Sequence, residues 1–405
     1  MRLMLLPALL RVAFGFVSCL DQSTYNMTVR TVCGTTCTES CVRGLRVALN
    51  SECPSGAWLD AIGPMVAQKQ MLFLNIGANK GYAVADFMMR FAPGDESAYE
   101  TCNVTYDGWH KQLQVLAKGK MERPKLEVAK LCGACSDCTK SRPPAVPHRH
   151  AERSKIRVLA VELLQSNARR LESLFKHFGV AGEVIHAAAS NATGVARISD
   201  NEGNNDEVNS VVDGASSDTS SLTELPLVSV DAVLNERRIS RVDLLTIDTE
   251  GHDALVLEGA MEALRSRRVR LVEFEYHGCG MWASSSGSGR SLRTTLDTLH
   301  RHAGFRCFWQ GDARPAPYGG NSSLVTVDAG GAWCEAYEFR GWSNLICAHT
   351  DDRPVITALD ELARIVQSKA EEATANAETA RMKRRSFLAL AAALRPRPKL
   401  AKAPG

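Results

Sequence analysis

The sequence carries no excess of either charge. Its 48 Lys and Arg residues stand against 45 Asp and Glu over 405 positions, so the basic footprint of a nucleic-acid binder is missing. No P-loop and no dinucleotide Gly-x-Gly-x-x-Gly pattern occurs, which removes the usual pyrophosphate cradles and argues against NAD or FAD. No Ser/His/Asp set stands in a motif context that would mark a hydrolase. Long apolar runs are missing too. The N-terminal run and the patch Phe387 to Leu394 are both too short for a bilayer, so no stable membrane span is expected.

Met1 to Cys19 lack any acidic residue, carry Arg2 and Arg11, and are otherwise strongly apolar. Small residues at Val17-Ser18-Cys19 suit signal peptidase, and we read 1–19 as a secretory signal. A mitochondrial or plastid presequence is the alternative. Of the thirteen cysteines, removing Cys19 leaves an even number, and seven of these fall in two clusters: Cys33, Cys37, Cys41 and Cys53, then Cys132, Cys135 and Cys138. In an oxidising lumen such clusters staple loops that have little core of their own. The second cluster, with His148 and His150 nearby, has a spacing that zinc also accepts; the secretory reading favours disulfides, and no metal is assigned. Sequons at Asn26, Asn103, Asn191 and Asn321 agree with a lumenal or secreted location.

Residues 20–68 read as a Cys-rich extension tied by disulfides. From 69 to 350 the pattern is that of one α/β domain. Met71 to Ile76 is a short apolar run ended by Gly77, and Tyr82 to Phe91 follows with helical spacing. Residues 92–155, with Pro, Lys and the second cysteine cluster, read as an inserted excursion. Ile156 to Val161 is then a strand, with Ser166 as N-cap of a helix ended by Gly179. Further strands are expected at Val184 to Ala187, Val242 to Ile247, Val269 to Tyr276, Phe305 to Trp309 and Leu345 to Ala348. Helices are expected near Val228 to Leu234, from Ala254, and from Ser291 to Ala303. Strands separated by helices imply a mostly parallel sheet of seven strands covered on both faces. The last two strands follow each other directly, which predicts a closing hairpin and one antiparallel strand. Residues 351–405 read as a surface helix and a basic tail.

Gly77-Ala78-Asn79-Lys80-Gly81 joins a strand to a helix with residues that let backbone approach a ligand at the carboxyl edge of the sheet. Glu162 and Asp248 end two other core strands, so three strand tips converge on one crevice. A carboxylate on the second strand can accept two hydrogen bonds from ribose hydroxyls; singly, either carboxylate is also explained as a helix cap or a surface charge.

Phe73 to Tyr82, Val161-Glu162 with Asn167, His186 to Ser190 and above all Val242-Asp243-Leu244-Leu245-Thr246-Ile247-Asp248-Thr249-Glu250-Gly251 resemble motifs of the FkbM-type methyltransferases, in the same order. The resemblance implies a Rossmann-like class I fold and S-adenosylmethionine as cofactor. It implies Asn75, Gly77, Asn79, Gly81 and Glu162 as cofactor-binding positions, with Asp248 at the methionine end or the reacting centre. Asn75 departs from many methyltransferases, which have an acidic residue at this place. Transfer to a hydroxyl oxygen needs a base. His252, Glu250, Glu275 and His277 lie at or beside the third tip, and His252 leads, with Asp248 and Glu250 as the other catalytic candidates. The acceptor expected from the compartment is a small molecule or a glycan. The rival readings are a non-catalytic interaction module on the same fold, and an organellar enzyme with reduced cysteines.

Overall fold

The computed structural model describes residues 57–92, 104–118, 155–199, 222–277, 282, 290–310, 325–327, 338 and 343–362. Residues 1–19, the cysteine clusters, His148, His150, three of the sequons (Asn26, Asn103, Asn321) and everything beyond 362 lie outside the described residues.

In chain order the elements are α1 (Ala57–Val66), β1 (Met71–Ile76), α2 (Tyr82–Phe91), α3 (Tyr106–Lys118), β2 (Ile156–Glu162), α4 (Gln165–Phe178), β3 (Ala181–His186), β4 (Ala188–Ala189), β5 (Gly194–Ser199) and β6 (Leu222–Val228). They continue with α5 (Val230–Glu236), β7 (Val242–Ile247), α6 (Asp253–Glu258), α7 (Met261–Arg265), β8 (Val269–Tyr276), α8 (Leu292–Ala303), β9 (Phe305–Gln310), β10 (Val325–Val327) and β11 (Ser343–His349). Residues 353–362 are helical.

The large sheet runs β10-β9-β11-β8-β7-β1-β2-β3. From β8 to β3 all neighbours are parallel. β11 is antiparallel to both β8 and β9. This is the mostly parallel seven-stranded sheet with one reversed strand that the sequence predicts, and the three-residue β10 adds a short antiparallel edge beside β9. Cys307 and Cys347 face each other in the β9–β11 register and form a disulfide.

β1 and β7 are buried along their whole length, as strands covered on both faces must be. Alternation sends Leu72, Leu74 and Ile76 to one core and Met71 and Phe73 to the other. The first core is closed by apolar positions of α5 to α8, and the second by α1 to α4 and the helix at 353–362. Each fully buried side chain of the size of Leu245 contributes roughly 1.5–3 kcal/mol.

Several local expectations change. Ser166 is not the cap of α4: Leu164 holds that position, without a side-chain cap. Its N–H goes instead to Glu162 Oε1 at 2.9 Å, so the strand's own terminal carboxylate does the capping and Ser166 is already helical. β3 begins earlier than Val184, and Ala188–Ala189 leave it to join a second, three-stranded sheet ordered β4-β6-β5.

The stretch 92–155 contains α3, whose Trp109 is buried on Phe178 with ring centroids 5.1 Å apart. The Trp109 indole N–H donates to the Lys80 carbonyl at 2.8 Å, fastening the glycine loop from outside. α1 is anchored likewise, through buried Arg90 of α2, which pairs with Asp60 at 2.7 Å and also with Asp86. Burial opposes the charge on Arg90, and the two carboxylates more than offset this, holding its pKa above the ordinary arginine value. Among the described residues no helix is long and apolar enough to cross a membrane.

Candidate active site

The chain starts at β1, steps outward to β2 and β3, and then returns to the other side of β1 with β7 and β8. The order therefore reverses between β1 and β7, the point at which doubly wound sheets leave a ligand crevice at the carboxyl ends of their strands. The three tips singled out in the sequence meet at this point. The Gly77 and Ala78 N–H groups both donate to the Val161 carbonyl of β2, at 2.9 and 3.1 Å, and the Asp248 N–H donates to the Ile76 carbonyl at 3.0 Å.

The glycine loop has three successive left-handed positions, with φ of 76° at Gly77, 46° at Asn79 and 80° at Gly81. Packing alone accounts for both glycines. A Cβ on Gly77 would stand 1.7 Å from the Asp248 carbonyl oxygen, and one on Gly81 would meet Leu171 and Trp109 below 3 Å. Their absence of side chains lets the protein close on itself, and the case for a ligand rests on the polar groups around them.

Glu162 is the centre of those groups. It is buried, its Oε2 accepts the Asn79 N–H at 2.6 Å and its Oε1 accepts the Leu164 N–H. Asn167 bonds the same carboxylate, donates from Nδ2 to Asn79 Oδ1 at 3.2 Å, and accepts on Oδ1 from Arg170 at 2.6 Å. Burial pushes the Glu162 carboxyl up to about 6; the two backbone N–H donors and Asn167 pull it down, and the Asp248 charge adds to the rise. With three donors on the carboxylate, one lone-pair site is left for a further donor.

Asn75 lies on the same sheet face, buried, with Oδ1 accepting the Thr246 hydroxyl at 2.9 Å. Its Nδ2 has no hydrogen-bond partner among the described residues. A buried, unused amide donor costs on the order of 1–3 kcal/mol unless something binds it.

At the third tip Asp248 is exposed, and its charge reaches both Glu162 and Asp253. Asp253 is fully buried at the head of α6, accepting from Gly251 N–H at 3.2 Å and from Glu275 N–H at 3.4 Å. Burial first, then the Asp248 charge, push its carboxyl up to about 8. His252 precedes it and is buried rather than at the mouth, while Glu250 is half-buried with φ 52°. On β8, Phe274 and Tyr276 belong to the first core, so Glu273, Glu275 and His277 share the opposite face by alternation. Burial pushes His277 down to about 4.

All the crevice residues read from the sequence are thus drawn to the tips of β1, β2, β7 and β8. Sequence reasoning missed Asp253, Thr246 and the clamp of Trp109 on the loop. Asp253 had one signal, an acidic residue in the first turn of a helix directly after the Asp248 motif; nothing local pointed to Trp109. The described sequon, Asn191, is exposed and donates to Glu258 at 2.9 Å.

No curated protein and no solved structure matches the chain. The family model described as methyltransferase FkbM domain matches residues 132–307. The matched stretch holds β2, β3, β7 and β8 with Glu162, Asp248, Glu250, His252, Glu275 and His277, while the glycine loop lies just ahead of it and is joined to it by the hydrogen bonds above. Over residues 132–307 the chain is thus similar to the methyltransferase FkbM domain, a match that supports S-adenosylmethionine-dependent methyl transfer in general terms.

Proposed function

We propose that the crevice between β1, β2 and β7 binds S-adenosylmethionine, and that the domain methylates a hydroxyl oxygen of a small-molecule or glycan acceptor in the secretory pathway. The observation that carries this reading is Glu162: a buried carboxylate at a strand tip, beside the topological switch point, oriented by two backbone N–H groups. A carboxylate held in this way keeps one lone-pair site for a ribose hydroxyl. Asn75 adds a buried N–H donor with nothing to bind, which fits the carboxylate of the cofactor's methionine part better than its ammonium group. The polar residues present thus suit the cofactor, and Asn75 takes its place by donating where an acidic residue would accept.

When bound, the cofactor supplies a methyl group activated on a sulfonium sulfur. The chain's part is to hold the acceptor in line with it and to take up the hydroxyl proton. His252 is the base in this reading, with Asp248 and Glu250 shaping the acceptor side of the crevice. The compartment is supported by the Cys307–Cys347 disulfide, since cross-links of this kind persist in oxidising surroundings.

Calorimetric titration of the purified chain with S-adenosylmethionine tests the proposal. Saturable heat with thermal stabilisation is expected; absence of both would leave a non-catalytic interaction module on the same fold. Counting free thiols in the denatured chain tests the compartment, because a full set of titratable thiols would point to an organellar enzyme.

A further inference from the structure

Glu250, Glu275 and His277 offer one ligand atom each, and these atoms all lie within 4.8 Å of one another. Their convergence follows from the fold. Glu275 and His277 are two apart at the end of β8, so they point to the same side, away from the first core in which Tyr276 is packed. Glu250 comes from the turn after β7, the strand paired with β8. Asp253 fixes the two tips to each other, accepting from Gly251 N–H with one oxygen and from Glu275 N–H with the other.

The spacing within the set is informative. His277 Nε2 and Glu275 Oε2 are 3.4 Å apart, which is long for a charge-assisted hydrogen bond, where about 2.7–2.9 Å is usual. For two ligands of one metal ion, with bonds of about 2.1 Å, the same separation corresponds to a ligand–metal–ligand angle of roughly 108°. Both of these residues are buried, and Glu250 is half-buried on the open side. One imidazole and two carboxylates form a mixed nitrogen and oxygen set that suits Mn2+, Fe2+ or Zn2+.

We propose that Glu250, Glu275 and His277 form a site for one divalent cation on the acceptor side of the crevice, and that the cation binds the acceptor's hydroxyl oxygen in a coordination position left free by the protein. A cation there lowers the pKa of the coordinated hydroxyl, whose proton passes to His252, the base of the proposed reaction. The role assigned to the ion rests on the methyltransferase reading; the site itself rests on the geometry alone. In this arrangement Glu250 acts as a ligand, and the acceptor class narrows to molecules able to present an oxygen to a metal ion, such as the vicinal hydroxyls of a sugar.

The test uses the full chain stripped with EDTA and titrated with Mn2+ alone, read by the loss of the free-ion electron paramagnetic resonance signal. Mn2+ prefers oxygen and imidazole to thiolate, which keeps it from the cysteine clusters. One bound Mn2+ per chain and a raised thermal midpoint are expected. Glu275→Gln and His277→Gln should each weaken Mn2+ binding about a hundredfold. Glu250→Gln, at a half-buried loop position, keeps the test valid should the buried substitutions fail to fold, and should weaken it about tenfold. Lack of Mn2+ binding at millimolar concentration, or equal affinity of wild type and a folded variant, overturns the proposal. S-adenosylmethionine calorimetry on the stripped chain separates the two readings: cofactor heat without Mn2+ binding removes the ion site and leaves the methyltransferase, and Mn2+ binding without cofactor heat does the reverse.

Discussion

Replacing Glu162 by Gln gives two readouts that depend on one carboxylate. In the folded chain burial raises this carboxyl from 4.5 to about 6. Because the folded pKa lies above the unfolded one, the folded state holds the proton more tightly. The associated stability is present below pH 4.5 and is lost as pH rises through 6. At about 1.36 kcal/mol per unit, the loss over that window is about 2 kcal/mol. Glu162→Gln has no such proton, so its urea-unfolding free energy should lack this falling component between pH 4.5 and 6.5.

Cofactor binding should move in the opposite sense. If a ribose hydroxyl donates to the ionised carboxylate, affinity rises with ionisation, and S-adenosylmethionine should bind the wild type about tenfold more weakly at pH 5 than at pH 7. Gln keeps one acceptor oxygen and puts an amide donor against the Asn79 or Leu164 N–H. The loss of one charge-assisted hydrogen bond, about 1.5–3 kcal/mol, weakens binding roughly 10- to 100-fold at pH 7. Equilibrium unfolding and calorimetry across this pH range measure both. A variant that keeps the wild-type pH slope, or binds the cofactor as tightly as the wild type at pH 7, refutes the assignment of Glu162.

Other consequences follow from single sites. Gly77→Ala puts a Cβ 1.7 Å from the Asp248 carbonyl at a φ of 76° and should cost about 3 kcal/mol or more; a melting temperature within a degree or two of wild type would contradict the packing described for the three tips. His252→Ala should lower turnover about tenfold or more while leaving cofactor affinity nearly intact, and unchanged turnover rejects it as the base. Removing the Cys307–Cys347 bridge with a pair of alanines frees a cross-link spanning 40 residues of sequence. Chain entropy sets that loss at about 4 kcal/mol, measured as the difference in urea midpoint between the oxidised wild type and the variant.

The strands, most of the helices and the parallel order were legible because their signals are local. Apolar runs such as Val242 to Ile247 and glycine at 179 each act within one element, and the structure puts strand and C-cap there. Ser166 misled for the same reason. A good capping residue stood near the right place, but the competing acceptor, Glu162, was already positioned by the end of β2.

By itself the sequence determined which residues end the core strands, and hence that Glu162, Asp248 and the glycine loop would lie at one edge of a parallel sheet. That follows from periodicity and chain order, which need no long-range contact to be read. Only the tertiary structure decided the electrical and steric state of that edge: the burial that raises Glu162 and Asp253, the unpaired amide of Asn75, and the meeting of Glu250 with Glu275 and His277 across two strands. Desolvation and convergence depend on how many other atoms surround a group, and those atoms come from α3, β7, β8 and other segments far away in the chain.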